Sequence, residues 1–125
     1  MGEVRRGEDH DAQVARCEQA FRSLVDQLAA VPAEVRSKYV LDRTVSCRVQ
    51  DLGLTWSARL CDEGIIGLTT DERDDGGKAQ VRLTVSSDDL LALVAGKQSL
   101  PAALATGKVR VQASPLDMLR LTNLI

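Results

Sequence analysis

Residues 79–125, AQVRLTVSSDDLLALVAGKQSLPAALATGKVRVQASPLDMLRLTNLI, decide the fold. The apolar residues at their start recur at every second position, which predicts a strand with one buried face: Ala79, Val81, Leu83 and Val85. Ser86 then lies three positions before Asp89, the spacing of a capping box. A helix is therefore expected over residues 88–95.

Glycine marks the end of each of two short helices in this stretch. Gly96 follows the first helix and is placed to end it in a left-handed conformation. The second helix is expected between Ser99, as its N-cap, and Gly107, with Pro101 in the first turn where its missing amide donor costs nothing. Residues 108–113 alternate again and predict a fifth strand.

The last segment predicts a helix with an unusually large apolar surface. Ser114 and Pro115 are typical of a helix start, and the helix is expected to run toward Ile125. Its apolar residues spread well beyond a narrow stripe: Leu116, Met118, Leu119, Leu121, Leu124 and Ile125. Such a helix needs burial on much of its circumference, either by core packing or as the wall of a ligand cavity or a partner interface.

The segment before residue 79 predicts a helix followed by three strands. Apolar residues recur at steps of three and four over residues 14–28, and Pro32 should end this helix near Ala30. A further helical turn is expected over residues 33–39. Three alternating segments then predict an antiparallel meander: residues 44–49, 54–60 and 65–70.

The composition of the chain argues against some classes of binding partner. The 125 residues carry a net charge of −2, so no overall positive field attracts nucleic acid, which is not an expected partner. No apolar run approaches the roughly 18 to 20 residues of a membrane span, so an integral membrane protein is not expected and a cytoplasmic location is. Residues 1–10 are polar and aperiodic and predict a disordered tail, with one domain over residues 11–125.

No constellation of side chains predicts catalysis. The one histidine, His10, falls in the expected tail, and the usual nucleophile and phosphate-loop motifs are missing from the sequence. The acidic run at residues 71–75 lacks the spacing of a calcium loop, so no metal site is expected and no cofactor is implied. Cys17 and Cys47 fall in apolar phases and are expected as buried thiols, whereas Cys61 lies in the other phase of its strand.

These residues also carry a family likeness. The stretch from Val81 to Leu121 resembles the C-terminal half of the sterol carrier protein type two (sterol-binding domain) family. The resembling features are a strand that leads into Ser-x-Asp-Asp-Leu at residues 86–90, two helices that each end in Gly-Lys, and a strand before the last helix. The order of elements suits that family over roughly residues 12–125, and the sequence likeness begins at about Ala79.

The resemblance implies an α+β fold, with a five-stranded, mostly antiparallel mixed sheet covered on one face by helices. It also implies non-catalytic binding or transfer of an apolar ligand, such as a fatty acyl chain, acyl-CoA, phospholipid or sterol-like lipid, in a tunnel between sheet and helices. The apolar positions expected to line that tunnel are Trp56, Leu83, Val85, Leu91, Val94, Leu104, Leu116, Met118 and Leu119.

An alternative function follows from the apolar last helix alone. That helix could pack on a partner protein or on a second copy of the chain, which would make the domain an interaction module, a homodimer or an accessory to a lipid-metabolic enzyme. The two hypotheses differ in whether Leu116, Met118 and Leu119 face a cavity or a partner.

Overall fold

Alternating and helical patterns of apolar residues produce strands and helices close to those expected. The computed structural model describes residues 2–39, 42–72 and 78–117. Within them the elements are, in chain order, α1 (Gly2–Ala30), α2 (Ala33–Tyr39), β1 (Arg43–Val49), β2 (Leu54–Cys61), β3 (Gly64–Asp71), β4 (Val81–Val85), α3 (Ser87–Val94), α4 (Leu100–Ala105) and β5 (Val109–Gln112).

The five strands form one mixed sheet in the order β3-β2-β1-β4-β5. Strands β1 and β4 are parallel, and the other neighbouring pairs are antiparallel. Cys47 at the centre of β1 is opposite Trp56 on β2 and Leu83 on β4. This register places the apolar phase of the strands on one face of the sheet and the polar phase on the other, which confirms the expected fold class.

Helix α1 covers the apolar face. Cys17 and Ala20 are buried, and Phe21 packs on the same core cluster, because steps of three and four keep these positions on one side of the helix. The helix begins at Gly2, so it includes residues 2–10, for which a disordered tail was expected. Helix propagation adds one hydrogen bond per residue once a helix exists, so a polar segment can extend a helix that an apolar face anchors further along.

The two short helices begin and end as predicted. The Ser86 hydroxyl accepts a hydrogen bond from the amide of Asp89, and the Ser99 hydroxyl accepts one from the amide of Ala102. Gly96 and Gly107 both have a φ angle of 75°, a conformation that other residues rarely adopt. The chain therefore leaves each helix in the direction that its C-terminal glycine permits.

The last predicted helix is described only at its start. The Ser114 hydroxyl accepts a hydrogen bond from the amide of Asp117 at 3.2 Å, as expected of an N-cap. Residues 118–125, which include Met118 and Leu119, lie outside the described residues.

A polar cluster joins α1, α3 and the turn between β1 and β2. Ser87 is buried, and both its amide and its hydroxyl donate hydrogen bonds to the carboxylate of Asp51, at 2.8 and 2.5 Å. The Gln13 side chain donates to the Ser87 hydroxyl at 2.9 Å and to the Asp88 carboxylate at 3.0 Å. Three separate parts of the chain are thus held together by groups that would otherwise lack partners.

We expect Asp51→Ala to lower the free energy of unfolding by about 1 to 3 kcal/mol, because the buried amide and hydroxyl of Ser87 would lose their charged acceptor. Urea unfolding measures the change. Asp26→Ala is the matched control, since Asp26 is exposed on α1. Equal stability of the Asp51 variant and the wild type would show that the cluster contributes nothing to the fold.

Candidate functional site

An apolar cavity of about 230 Å³ lies between helix α1 and the covered face of the sheet. Its helical walls are Phe21, Leu24 and Val25 of α1 and Leu90 of α3. Its sheet wall comes from four strands: Val45, Cys47, Trp56, Ser57, Ala58, Leu60, Ile65, Leu68 and Leu83. Ser57 is the only lining residue with a hydroxyl group, so the wall offers a ligand contact with hydrocarbon and little else.

Strand register brings the sheet wall together. Val45 is paired with Ala58, and Cys47 with Trp56, across the antiparallel β1 and β2. Leu83 on β4 lies beside Cys47. The register between β2 and β3 shifts after Ser57, where residue 58 has no partner on β3. Irregular pairing of this kind bends a strand locally, and here it coincides with the cavity.

Trp56 joins the cavity to helix α1. Its side chain is 1% exposed, and its ring lies 4.9 Å from the ring of Phe21, tilted by 31°. The indole N–H donates a hydrogen bond to Oε2 of Glu18 at 2.5 Å, so the one polar atom of the side chain is satisfied. Glu18 also forms an ion pair with Arg22 at 3.1 Å. The apolar ring is therefore fixed in the wall while its polar edge faces α1.

Two thiols lie in the same interior. Cys17 and Cys47 are both buried and free. Burial, reinforced by the carboxylates of Asp51 and Asp88, raises the pKa of the Cys17 thiol to about 11. Burial is the main cause, and the charge of Cys17 the smaller one, that raises the pKa of the Cys47 thiol to about 12. Both side chains are thus neutral near pH 7 and act as small apolar groups, as their strand and helix phases predicted.

An ion pair fixes the start of the last helix against the sheet. Nε of Arg43, at the start of β1, donates to both carboxylate oxygens of Asp117, at 3.2 and 3.0 Å. Asp117 is 7% exposed. Local spacing could not predict this contact, because its two partners lie 74 positions apart in the sequence.

The structure brings together two of the nine predicted tunnel residues, Trp56 and Leu83, in the cavity wall. Val85 is buried in the core cluster, and three others are half-buried against that cluster without lining the cavity: Leu91, Val94 and Leu104. Leu116 is 59% exposed. Met118 and Leu119 lie outside the described residues.

Ten apolar residues of the cavity wall were not among the predicted tunnel residues: Phe21, Leu24, Val25, Val45, Cys47, Ala58, Leu60, Ile65, Leu68 and Leu90. The periodicity of α1 already placed Phe21, Leu24 and Val25 on its apolar face, so that signal was present. The periodicity could not show whether this apolar face lines a cavity or packs in a solid core.

No three potential metal-ligating side chains come together among the described residues. No helix in the described ranges 2–39, 42–72 and 78–117 is both long and apolar enough to cross a membrane.

A model of the SCP-2 sterol transfer family matches residues 11–125. The chain belongs to this family. Membership confirms the resemblance found from residue 79 onward and extends it over the upstream helix and strands. No curated protein sequence matches the chain.

Solved structures of the SCP-2 family share the fold. The NMR structure of palmitated SCP2L2 from Aedes aegypti has a TM-score of 0.61 at 16% identity, covering 86% of this chain and 91% of that one. A crystal structure of sterol carrier protein 2 has a TM-score of 0.60 at 12% identity, covering 84% and 82%. Similarity at these identities shows a common fold.

A larger enzyme contains a similar domain. The sec-alkylsulfatase Pisa1 from Pseudomonas sp. has a TM-score of 0.56 at 22% identity, covering 81% of this chain. The chain spans only 15% of the length of that sulfatase. The fold of this SCP-2 domain therefore occurs both in small proteins and as a minor part of an enzyme.

We expect Glu18→Ala to lower the free energy of unfolding by about 1 to 3 kcal/mol, because it leaves the buried indole N–H of Trp56 without its acceptor. Trp56 is the single tryptophan, so its fluorescence reports the change directly. Glu18→Gln is the matched control, since it keeps an acceptor oxygen. Equal losses in both variants would show that the hydrogen bond is not what stabilises this contact.

The thiols predict a pH dependence. Between about pH 9 and pH 11 the unfolded chain loses the Cys17 proton while the folded chain keeps it, so the free energy of unfolding should fall as the pH rises through this window. Denaturant unfolding at several pH values measures the slope, and Cys17→Ala should reduce it. An unchanged slope in Cys17→Ala would contradict the assignment.

Proposed function

We propose that this SCP-2 domain binds a single unbranched acyl chain in the cavity between α1 and the sheet, without catalysing a reaction. The observation that carries the proposal is the continuous apolar wall around about 230 Å³, with Trp56 and Leu83 within it. Family membership supports the binding or transfer of an apolar lipid. The palmitated relative from Aedes aegypti supports an acyl chain as the kind of lipid that is bound.

Cavity size supports a narrow ligand. About 230 Å³ is less than the roughly 300 to 1,000 Å³ of sites that enclose drug-sized molecules, and more than the roughly 150 Å³ that holds benzene. An extended alkyl chain fits such a volume better than a rigid ring system. Each buried methylene contributes about 0.8 kcal/mol, so about eight would supply roughly 6 kcal/mol before the cost of association.

The chemistry of the wall favours binding over a reaction. Apart from the indole N–H of Trp56, which is bonded to Glu18, its polar groups are the Ser57 hydroxyl and the Cys47 thiol, and burial raises the pKa of that thiol to about 12. Neither has an adjacent general base among the lining residues, so the wall contains no activated nucleophile. A cytoplasmic location belongs to the same proposal.

The competing proposal is that the domain is an interaction or accessory module. One exposed side chain among the described residues supports it. Leu116 is 59% exposed at the start of the last helix, where a partner or a second subunit could cover it. The similar domain within an alkylsulfatase supports an accessory role at the level of fold. We favour the acyl-chain proposal because the apolar wall surrounds about 230 Å³ that an acyl chain can fill, whereas the interaction proposal has one exposed leucine.

Filling the cavity tests the proposal. Ala58→Phe adds a ring to the sheet wall and should weaken binding of a fluorescent polyene fatty acid at least about tenfold, because the added volume occupies the ligand's place. Ala102→Phe is the matched control, since Ala102 is exposed on α4 and outside the cavity. Saturable binding by the wild type and by the control is expected.

A second cavity-filling variant keeps the test valid if Ala58→Phe does not fold. Leu68→Phe enlarges a side chain on the β3 wall of the same cavity, and circular dichroism establishes that each variant folds. Wild-type affinity in a folded Ala58→Phe or Leu68→Phe protein would overturn the proposed site. No saturable uptake by the wild type would overturn the proposed function.

A further inference from the structure

The polar face of the sheet has a positively charged edge that the cavity does not use. On β4 and β5 the polar phase faces away from the helices, and Arg82 pairs with Gln112 while Thr84 pairs with Arg110. Lys108 is exposed immediately before β5. We call Arg82, Lys108 and Arg110 the β4–β5 basic edge. Neither strand contains an acidic residue, so the positive charge is not neutralised within the pair.

Neither arginine of this edge takes part in an ion pair between described residues. Nε of Arg82 is buried from water and has no hydrogen-bond partner among the described residues. Arg110 is exposed and takes part in none of the ion pairs between described residues. Arg48 differs, because it donates to the hydroxyl of Thr55 at 3.0 Å. A buried guanidinium nitrogen without an acceptor costs free energy that a carboxylate would recover.

The backbone at this edge is also unpaired. Strand β5 is the last strand of the sheet, and its backbone pairs with β4 alone within the described part of the chain. An open strand edge presents amide and carbonyl groups that a further extended chain can pair with. A strand added beside β5 would place every second side chain on the face that carries Arg82 and Arg110.

We propose that the β4–β5 basic edge binds an extended acidic protein segment, which adds as a strand beside β5 and places carboxylates against Arg82 and Arg110. Charge complementarity identifies the partner, since Arg82, Lys108 and Arg110 are all cationic and neither strand contains an acidic residue. The site is separate from the acyl-chain cavity, so the two proposals stand or fall independently.

A protein segment fits this edge better than an anionic membrane does. Membrane attachment through so few cations, at about 1 kcal/mol each, needs neighbouring apolar side chains that insert. The large apolar residues that are exposed in the described ranges are Val35, Ile66 and Leu116, none of them on β4 or β5. A lipid headgroup also cannot extend the hydrogen-bond ladder of β5.

Fluorescence anisotropy tests the proposal with a labelled peptide of four Thr-Glu repeats, which presents a carboxylate at every second position. The full-length wild type should bind it saturably, and added salt should weaken the binding. The double variant Arg82→Gln with Arg110→Gln should lose at least about tenfold in affinity. Lys97→Gln, an exposed cation outside the two strands, should bind as the wild type does. A peptide of four Thr-Gln repeats should not bind.

Three outcomes would overturn the proposal. The first is equal binding of the two peptides, or equal affinity in the wild type and in Arg110→Gln, whose exposed side chain can change without harming the fold. The second is a preference for phosphatidylserine vesicles that Arg110→Gln abolishes while the peptide stays unbound. The third is tighter peptide binding by Asp74→Asn with Asp75→Asn, which would identify the chain's own acids as the occupant.

Discussion

The contact between Trp56 and helix α1 is the constraint on which the rest of the structure depends. The only tryptophan of the chain is on β2, yet its ring packs on Phe21 and its N–H binds Glu18, both on α1. A rigid aromatic side chain this large keeps helix and sheet apart beside it, while smaller residues such as Ala58 leave space. The cavity follows from that difference in side-chain size along one strand.

Local signals were sufficient for most of the fold. The N-caps at Ser86 and Ser99 and the glycines at 96 and 107 act through neighbouring backbone groups, so their effect can be predicted from a few residues. The buried face of each strand could likewise be predicted from the alternation of neighbouring residues. The start of α1 was not predicted, because residues 2–10 have no apolar periodicity and extend a helix that Cys17 and its neighbours anchor.

Less of the candidate site than of the fold could be predicted from the sequence. Trp56 and Leu83 were identified through the family resemblance and the apolar phase of their strands. The helical wall was missed because an apolar face looks the same whether it meets solid core or a cavity. The pairs Asp51–Ser87 and Arg43–Asp117 join positions far apart in the chain, and single-sequence spacing contains no information about such contacts. Burial and register, which are properties of the whole fold, were needed for these.

An acyl chain bound in the cavity should lie against Trp56, which forms part of the wall. Quenching of Trp56 fluorescence by a fatty acid brominated along its chain tests this most directly, because heavy-atom quenching requires contact and Trp56 is the single tryptophan. Saturable quenching is expected, and an unlabelled fatty acid of equal length should reverse it by competition. Absence of quenching while the same fatty acid binds elsewhere on the protein would contradict this placement of the acyl chain.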